Sequence, residues 1–444
     1  MIGHITRTRI ILVILVLHFV SIAHSVLGQD QVNPSLIDSL ESYFNEVEKA
    51  TRKNVKLWGA NIYGPITLVN PSTRRAFTNY QDSSGILKPI GKIFTGILPG
   101  NVALGNTTTK WQGTNWAMVI LPFLSKTNKP DRINLLSHEL FHRSQSSLHF
   151  NVVEPTNNHL DKKEGRILLR LELEELKNAI SARGNLEMKE HLTKAFSIRK
   201  YRYKIYPEAE INENRAELNE GLAEYTGVIM SGRRNKEMIH HFEQKIDELV
   251  KSGTFIRTFA YRTIPVYGYL LKRSHGHWNR DITGETNLTN YFISQFKINI
   301  SSDLETLVDI YKEQPEAKSI IAEENEREEK TKKQVAYYKD KFVNNVHLEI
   351  EFEKKSVSFD TRNLVPVEGL GIVYPILTAS DNWGVLKVEG VGGLMSPARD
   401  KISISVPLIV GEREVSGEGW TLKLNDGYKV IKDELTGNYK LIKM

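Results

Sequence analysis

The stretch SHELFH, residues 137–142, is the strongest indication of local structure in the sequence, because its two histidines, His138 and His142, are four positions apart. On an α-helix, positions i and i+4 lie one turn apart on the same face, so both imidazoles can reach one metal ion. Glu139 lies beside them, and we predict that it acts as a general base toward a metal-activated water. The pattern predicts a helix that holds one Zn²⁺ per chain.

The sequence on both sides of this stretch supports a helix. Apolar residues recur at steps of three and four between positions 131 and 148, which predicts an amphipathic helix with a buried face. Pro130 and Asp131 suit its N-terminus, where backbone N–H groups lack partners. Upstream, the apolar run 115–122 reads as a strand. It could pair with an extended peptide substrate or be an ordinary core strand, and the sequence leaves both open.

Two histidines leave a catalytic zinc short of one protein ligand, because such sites usually have three protein ligands and a water. The metzincin continuation is absent, since Gln145 and Leu148 occupy the positions where it requires glycine and histidine. The third ligand must therefore come from elsewhere in the chain. Position alone leaves Glu217, Glu220 and Glu224 open, all within one predicted helix.

That second helix is predicted between Pro207 and Gly232, with acidic residues in its first turn. It contains three small residues, Gly221, Ala223 and Gly227, in its interior. Each glycine costs a helix about 1 kcal/mol relative to alanine. We therefore expect this helix to pack closely against another, and the metal helix is the natural partner.

The HExxH stretch followed by Asn-Glu-Gly-Leu-Ala at 219–223 resembles the gluzincin arrangement of thermolysin and the aminopeptidase N type enzymes. The resemblance implies a zinc metallopeptidase in which Glu220 is the third zinc ligand. It also implies that Glu224, four positions later, orients a histidine ligand, with Asn219 as a further supporting residue. The resemblance covers residues 116–230 and is thin elsewhere.

The chain departs from those families in two respects. The separation between the two zinc segments is much longer than in the aminopeptidases, which predicts a helical insert at about 160–205 with helices near 164–180 and 185–203. The Gly-Ala-Met-Glu-Asn motif that recognises a substrate amino terminus in aminopeptidases is missing. Exopeptidase specificity is therefore not implied.

A gluzincin also needs a hydrogen-bond donor for the developing oxyanion. Tyr261 is our first candidate. Aminopeptidase-like relatives have a glycine three residues after such a tyrosine, whereas Ile264 stands here. Tyr267 is the alternative, followed by His275 and His277.

The composition indicates a normal globular protein. The chain has 444 residues, of which 40% are hydrophobic and 25% charged, so we expect two or more domains. The net charge of +6 is mild and includes no long basic tract, so nucleic acid is not an expected partner. The absence of cysteine excludes disulfides and a lipidated cysteine.

The N-terminus resembles a signal peptide in its pattern. Arg7 and Arg9 precede the apolar run 10–20. We place the signal peptide at residues 1–28, with cleavage after Ser25 as an alternative. The apolar run is shorter than the roughly 20 residues of a spanning helix, which favours cleavage over an uncleaved anchor. We expect a secreted or periplasmic protein with no stable membrane span after cleavage.

The remaining chain predicts an α+β protein with a mainly helical, gluzincin-like catalytic domain and a small preceding β-sheet. This domain spans residues 29–342 and ends in a charged helix at about 310–342. From 343 to 444 the sequence changes to short alternating segments separated by turns such as Asn425-Asp426-Gly427, which predicts a β-rich C-terminal domain.

The leading functional hypothesis is an exported zinc metallopeptidase acting on a peptide or protein. One alternative is a non-catalytic binding or scaffold protein that contains zinc. Another is a zinc hydrolase of a non-peptide substrate. The intact general base and the open coordination position favour catalysis, because structural zinc sites usually have four protein ligands. The oligomeric state is open.

Overall fold

The computed structural model describes residues 33–153, 156–360 and 364–444. The predicted signal peptide lies outside these residues. The chain divides into two compact units, Met1–Ile320 and Ile321–Met444. No helix in the described part of the chain has both the length and the apolar character needed to cross a bilayer.

The first unit is mainly helical. Its helices are α1 (Pro34–Lys53), α2 (Val55–Trp58), α3 (Leu121–Leu124), α4 (Lys129–Ser144), α5 (Lys163–Ser181), α6 (Asn185–Ile205), α7 (Ala209–Ala216), α8 (Leu222–Met230), α9 (Asn235–Ser252), α10 (Ala260–Lys272), α11 (Leu288–Phe296) and α12 (Leu304–Lys312). A π-helical turn, Glu217–Gly221, joins α7 to α8. A 3₁₀ turn, Gln145–Leu148, follows α4. The insert between the two zinc segments contains helices α5 and α6.

A six-stranded sheet precedes the zinc segments in the chain. Its strands are β1 (Ile66–Val69), β2 (Arg75–Thr78), β3 (Lys88–Ile90), β4 (Ile93–Ile97), β5 (Thr107–Trp111) and β6 (Thr114–Ile120). The spatial order is β3-β4-β2-β1-β6-β5. Strand β6 pairs in parallel with β1 and antiparallel with β5.

Residues 115–120 of this run therefore lie in the interior strand β6, residues 121 and 122 begin helix α3, and the peptide-pairing role that we left open for the run is wrong. Both of its hydrogen-bonding edges are occupied by neighbouring strands, so no edge remains for a substrate. Trp116, Met118 and Val119 are buried, as expected for a core strand.

The second unit is β-rich. Its strands are β7 (His347–Glu351), β8 (Ser356–Phe359), β9 (Val365–Val367), β10 (Gly371–Asp381), β11 (Gly384–Met395), β12 (Lys401–Ser405), β13 (Pro407–Val410), β14 (Glu414–Gly417), β15 (Trp420–Leu424), β16 (Tyr428–Lys432) and β17 (Tyr439–Lys443). They form one sheet in the order β13-β14-β15-β11-β12-β7-β17-β16, with β10 pairing β11, β8 and β9. All pairs are antiparallel except β17 with β7.

The division between the units falls earlier than the predicted boundary at 342/343. A long helix, α13 (Pro315–Lys339), contains the division at Ile320 and Ile321. Its last turn and the π-turn after it place Tyr338 and Phe342 in an apolar cluster with residues of the sheet. The end of the charged helix therefore packs with the β-rich unit, which charge pattern alone did not indicate.

Candidate metal centre

Helix α4 carries the HExxH stretch and has a well-defined start. The side chain of Asn128 accepts a hydrogen bond from the backbone N–H of Asp131 at 2.9 Å, and a proline occupies the first turn. The apolar side chains at Ile133, Leu136 and Leu140 are buried in the core of the unit. The helix begins two residues before the predicted start, because the cap lies at residue 128.

The glycines of the second zinc segment allow close helix packing, as we expected. A Cβ atom added at Gly227 would lie 2.4 Å from the backbone oxygen of Asn134 on α4. One added at Gly221 would lie 2.7 Å from the side chain of Ile264 on α10. Helix α8 therefore lies directly against the backbone of α4, and the π-turn before it lies against the Ile264 side chain of α10, at positions where any larger residue would clash.

Three side chains meet at one point between these helices. The Nε2 atoms of His138 and His142 are 3.0 Å apart. The Oε2 atom of Glu220 lies 3.4 Å from the first and 3.2 Å from the second. Within the described residues, these three form the one group of potential ligands close enough to hold a metal ion together.

The triangle fits a tetrahedral zinc ion. An ion with bonds of about 2.0–2.1 Å keeps its ligand atoms about 3.3–3.4 Å apart. The three distances of 3.0–3.4 Å lie close to that edge length. Two neutral imidazoles and one carboxylate form a donor set typical of catalytic zinc sites, which leave the fourth position open.

Glu139 lies beside the triangle and is almost completely buried. Its Oε2 atom has no hydrogen-bond partner among the described residues. Burial raises the pKa of this carboxyl group, and the neighbouring His138 and His142 partly oppose the rise. A carboxylate that lines a cavity beside the cluster and has a raised pKa has the properties of a general base.

Glu224 takes the position expected of a group that orients a histidine ligand. Its Oε2 atom lies 3.1 Å from Nδ1 of His138, and its Oε1 accepts a hydrogen bond from Asn134 at 3.2 Å. Burial raises the pKa of Glu224, but the hydrogen bond and charge of His138 outweigh it and lower the pKa to about 2. An ionised partner on Nδ1 fixes the tautomer and leaves Nε2 free to bind metal.

The two carboxylates also control the charge of His138 in the metal-free protein. Burial lowers the pKa of this imidazole, but the hydrogen bonds to Glu220 and Glu224 raise it to about 10. The side chains therefore hold a proton where a dipositive ion would bind. Metal binding must displace that proton, because a histidine ligand coordinates in its neutral form.

The sequence did not indicate the partner of the second histidine. Nδ1 of His142 lies 2.8 Å from the amide oxygen of Gln145, one turn later. The amide nitrogen of Gln145 donates to Oδ1 of Asn219 at 3.0 Å, and Asn219 donates to Oε1 of Glu220 at 3.2 Å. This chain of hydrogen bonds joins two of the candidate metal ligands, His142 and Glu220. Asn219 thus has the supporting position that the resemblance implied.

Tyr261 lies at the site, whereas the alternatives do not. Its hydroxyl donates to Oε2 of Glu220 at 2.5 Å, and its ring stacks on His138 with centroids 5.3 Å apart. Burial and the charge of Glu220 raise the pKa of this phenol, so it stays protonated and can donate. Tyr267 is fully buried and donates a hydrogen bond to Glu172 at 2.9 Å, and His275 pairs with Asp281 at 2.7 Å.

A buried ion network supports the segment that carries Glu220. Arg199 binds both oxygens of Glu217 at 2.7 and 3.0 Å, and Thr263 donates to the same carboxylate at 2.6 Å. Arg199 also contacts Glu172, which accepts a hydrogen bond from the hydroxyl of Tyr267 at 2.9 Å. The network links insert helices α5 and α6 to the π-turn and to α10.

This network separates the three glutamates that the sequence left open as third ligand. Glu217 is held by Arg199 in the core, and Glu224 is held by His138 and Asn134. Glu220 is the one of the three whose carboxylate lies near the Nε2 atoms of both His138 and His142.

A cavity of about 380 Å³ opens beside the cluster. Its walls include His138, Glu139 and Tyr261, with Phe123 exposed at its rim. Comparisons with protein-family models, with curated proteins and with solved structures gave no match to this chain. A functional assignment therefore depends on the geometry of the cluster itself.

Proposed function

We propose that this protein is a zinc-dependent hydrolase of the gluzincin type that cleaves peptide bonds. The convergence of His138 Nε2, His142 Nε2 and Glu220 Oε2 within 3.4 Å of one another supports this proposal most strongly. These three residues would hold one Zn²⁺. The bound ion would supply Lewis acidity, which polarises a carbonyl and lowers the pKa of water.

The roles of the other side chains follow from their positions. Glu139 lines the cavity, and its carboxylate would accept a proton from the attacking water and return it to the leaving amine, so that one water is consumed for each amide bond cleaved. Tyr261 would donate a hydrogen bond from its hydroxyl group to the oxyanion that develops on the carbonyl oxygen. Glu224 and Gln145 would hold the two imidazoles in the orientation that exposes Nε2.

A closed structural site finds less support. Within the part of the chain that the structure describes, three groups converge, whereas structural zinc sites usually have four protein ligands. The buried carboxylate of Glu139 would also have no purpose in such a site. The signal peptide pattern at residues 1–28 supports a location outside the cytoplasm.

Elemental analysis combined with hydrolysis of a quenched peptide library, with and without a chelator, tests the proposal. We expect one zinc per chain and cleavage that the chelator abolishes. Cleavage that persists in a chelator, or protein that binds no zinc, would contradict the proposal. Zinc without cleavage of any peptide would contradict the peptide substrate.

Two variants test the residue roles. Glu139→Gln should keep zinc and lose about 10²- to 10⁴-fold in kcat/KM, whereas Glu220→Ala should lose zinc affinity. Glu190→Gln makes the same change at an exposed position of α6 and serves as the control. If Glu220→Ala binds zinc like the wild type, the third ligand is a different residue.

A further inference from the structure

The cavity beside the metal cluster extends from Glu139 and Tyr261 toward helix α9. Its far wall includes Lys245 of that helix and Arg262 of α10. A substrate that reaches Glu139 through this cavity passes these two cations. Whether they are free to bind a ligand depends on their partners.

Most charged groups around this cavity already have a partner. Lys245 pairs with Glu248 at 2.7 Å. Nearby, Arg233 forms an ion pair with Asp131. The carboxylate of Glu224 is used by His138 and Asn134. These groups are therefore neutralised locally.

Arg262 differs from the other two cations. Its Nε donates to the backbone oxygen of Lys245 at 2.9 Å, and its Nη1 donates to the backbone oxygen of Tyr261 at 3.0 Å. It forms no ion pair with a carboxylate of the described residues. A guanidinium group has five N–H donors, so three remain available. The two backbone bonds hold the group in a fixed orientation.

The surroundings of Arg262 are unfavourable for an isolated cation. Burial lowers the pKa of Arg262, which means that the charged form is partly desolvated, and Glu224 and Glu248 oppose the effect only at longer range. Burial and the charge of Arg233 likewise lower the pKa of His241, on another wall of the cavity, to about 4. An anion at this point would offset the cost of burying the guanidinium.

We propose that Arg262 binds a carboxylate of the substrate next to the scissile bond, so that the enzyme prefers peptides with an acidic group at that position. This inference rests on the proposed peptidase function. The acidic group is either the side chain of an aspartate or glutamate or the free C-terminus of the peptide, since both present the same chemistry. Arg262 directly follows Tyr261, so a substrate bound to it lies close to the predicted oxyanion donor.

Matched peptides test the preference. One series carries Asp or Glu near the cleaved bond and has an amidated C-terminus, and its partner series carries Asn or Gln instead. A second pair has neutral side chains and either a free or an amidated C-terminus. We expect kcat/KM to be at least about tenfold higher for the acidic member of one pair, because a hydrogen-bonded ion pair at a partly buried site has that effect.

The Arg262→Met variant should reduce this acidic-to-neutral ratio to near one, and Arg262→Lys should restore part of it. Arg257→Met is the matched control, since it makes the same change at an exposed arginine that does not line the cavity. The control should keep the wild-type ratio. Zinc content and the melting temperature establish that each variant is folded.

The two proposals fail in different ways. Absence of any chelator-sensitive cleavage would overturn the peptidase function. Cleavage with equal kcat/KM for acidic and neutral peptides, or a ratio that Arg262→Met leaves unchanged, would overturn the role of Arg262 alone. A preference carried by the first pair of series identifies the acidic side chain as the ligand, and one carried by the second pair identifies the free C-terminus.

Discussion

His142 depends on Gln145, because the amide oxygen of Gln145 is the group that lies within hydrogen-bond distance of Nδ1. Replacing Gln145 with leucine should leave the imidazole free to rotate or to change tautomer. We expect zinc affinity to fall about 10- to 100-fold, the usual effect of removing the hydrogen-bond partner of a metal ligand. Competition with a chromophoric chelator measures this change.

A Gln145→Glu variant serves as the control for that prediction. It retains an oxygen acceptor for Nδ1 but loses the amide donor that contacts Asn219 at 3.0 Å. We expect its zinc affinity to stay closer to the wild type than that of Gln145→Leu. Equal losses in both variants would mean that the contact with Asn219, and not the one with His142, is what matters.

The phenol of Tyr261 should act mainly on the rate. Tyr261→Phe keeps the ring that stacks on His138 and removes only the hydroxyl that donates to Glu220. We expect kcat to fall about 10²- to 10³-fold, as for loss of an oxyanion donor. KM should change little, and kcat is measured with excess zinc, because loss of the hydrogen bond to Glu220 also weakens zinc binding. A variant with normal kcat would contradict the role, and Tyr269→Phe on the same helix provides a control.

The candidate ligands and the residues around them were predictable to different extents. The positions of His138 and His142 follow from helix geometry alone. Gln145 was visible in the sequence only as the residue that breaks the metzincin pattern, because no spacing rule assigns a glutamine to a histidine three positions earlier. Arg262 carried no signal either, since its importance depends on the absence of a partner, which is a property of the folded chain.

At the scale of elements, the contact between α4 and α8 depends on Gly227. A Cβ there would lie 2.4 Å from the backbone oxygen of Asn134, which cannot move without shifting α4. We expect Gly227→Ala to lower the free energy of unfolding by about 1–3 kcal/mol despite the better helix propensity of alanine. Chemical denaturation measures this loss. Gly100→Ala, at an exposed loop position where a Cβ meets no atom within 4 Å, should have little effect.

Helix α9 presents a buried histidine whose protonation should depend on folding. Burial and the charge of Arg233 lower the pKa of His241 to about 4, while Glu224 and Asp131 oppose this and Lys245 adds to it. The unfolded chain has the ordinary value of 6.5 and therefore binds more protons between pH 6.5 and 4. The stability contribution is complete above pH 6.5 and is lost as the pH falls toward 4.

Denaturation of the metal-free protein at a series of pH values tests this dependence. The His241→Gln variant cannot take up a proton and should lose the pH dependence from this group, which amounts to about 3 kcal/mol at most. His240→Gln is a close control, because the adjacent His240 is exposed. If both variants keep the slope of the wild type, His241 does not titrate in this range on unfolding.

The π-turn at Glu217–Gly221 shows why the helices were easier to predict than the directions in which their side chains point. Residues 217, 220 and 224 of a regular helix share one face, so periodicity could not tell them apart. The wider i→i+5 turn changes the direction of the side chains within it. Arg199, in insert helix α6, then forms an ion pair with Glu217. The distinction between the glutamates thus depends on a residue outside their own helix, Arg199 of α6.

At the scale of the whole molecule, the sequence indicated two parts of different composition, and the chain does divide into two compact units. Their boundary was harder to predict. Charged residues along α13 predicted a solvated, charged helix or linker, but Tyr338 and Phe342 at its end are buried in an apolar cluster with Val373. Two aromatic residues in a charged stretch are a weak signal, since their burial depends on the sheet residues that meet them.

The first unit should bind metal without the second, because His138, His142, Glu220 and the side chains that hold them all precede residue 321. A chain that ends at Lys333, within an exposed part of α13, removes the sheet and leaves the buried start of that helix intact. We expect this fragment to fold and to bind one zinc with the affinity of the full chain, as measured by chelator competition and circular dichroism. The same fragment with Glu220→Ala should bind zinc weakly. A folded fragment that binds no zinc would show that the second unit contributes to the site, whereas peptide cleavage by the fragment would assign the whole reaction to the first unit.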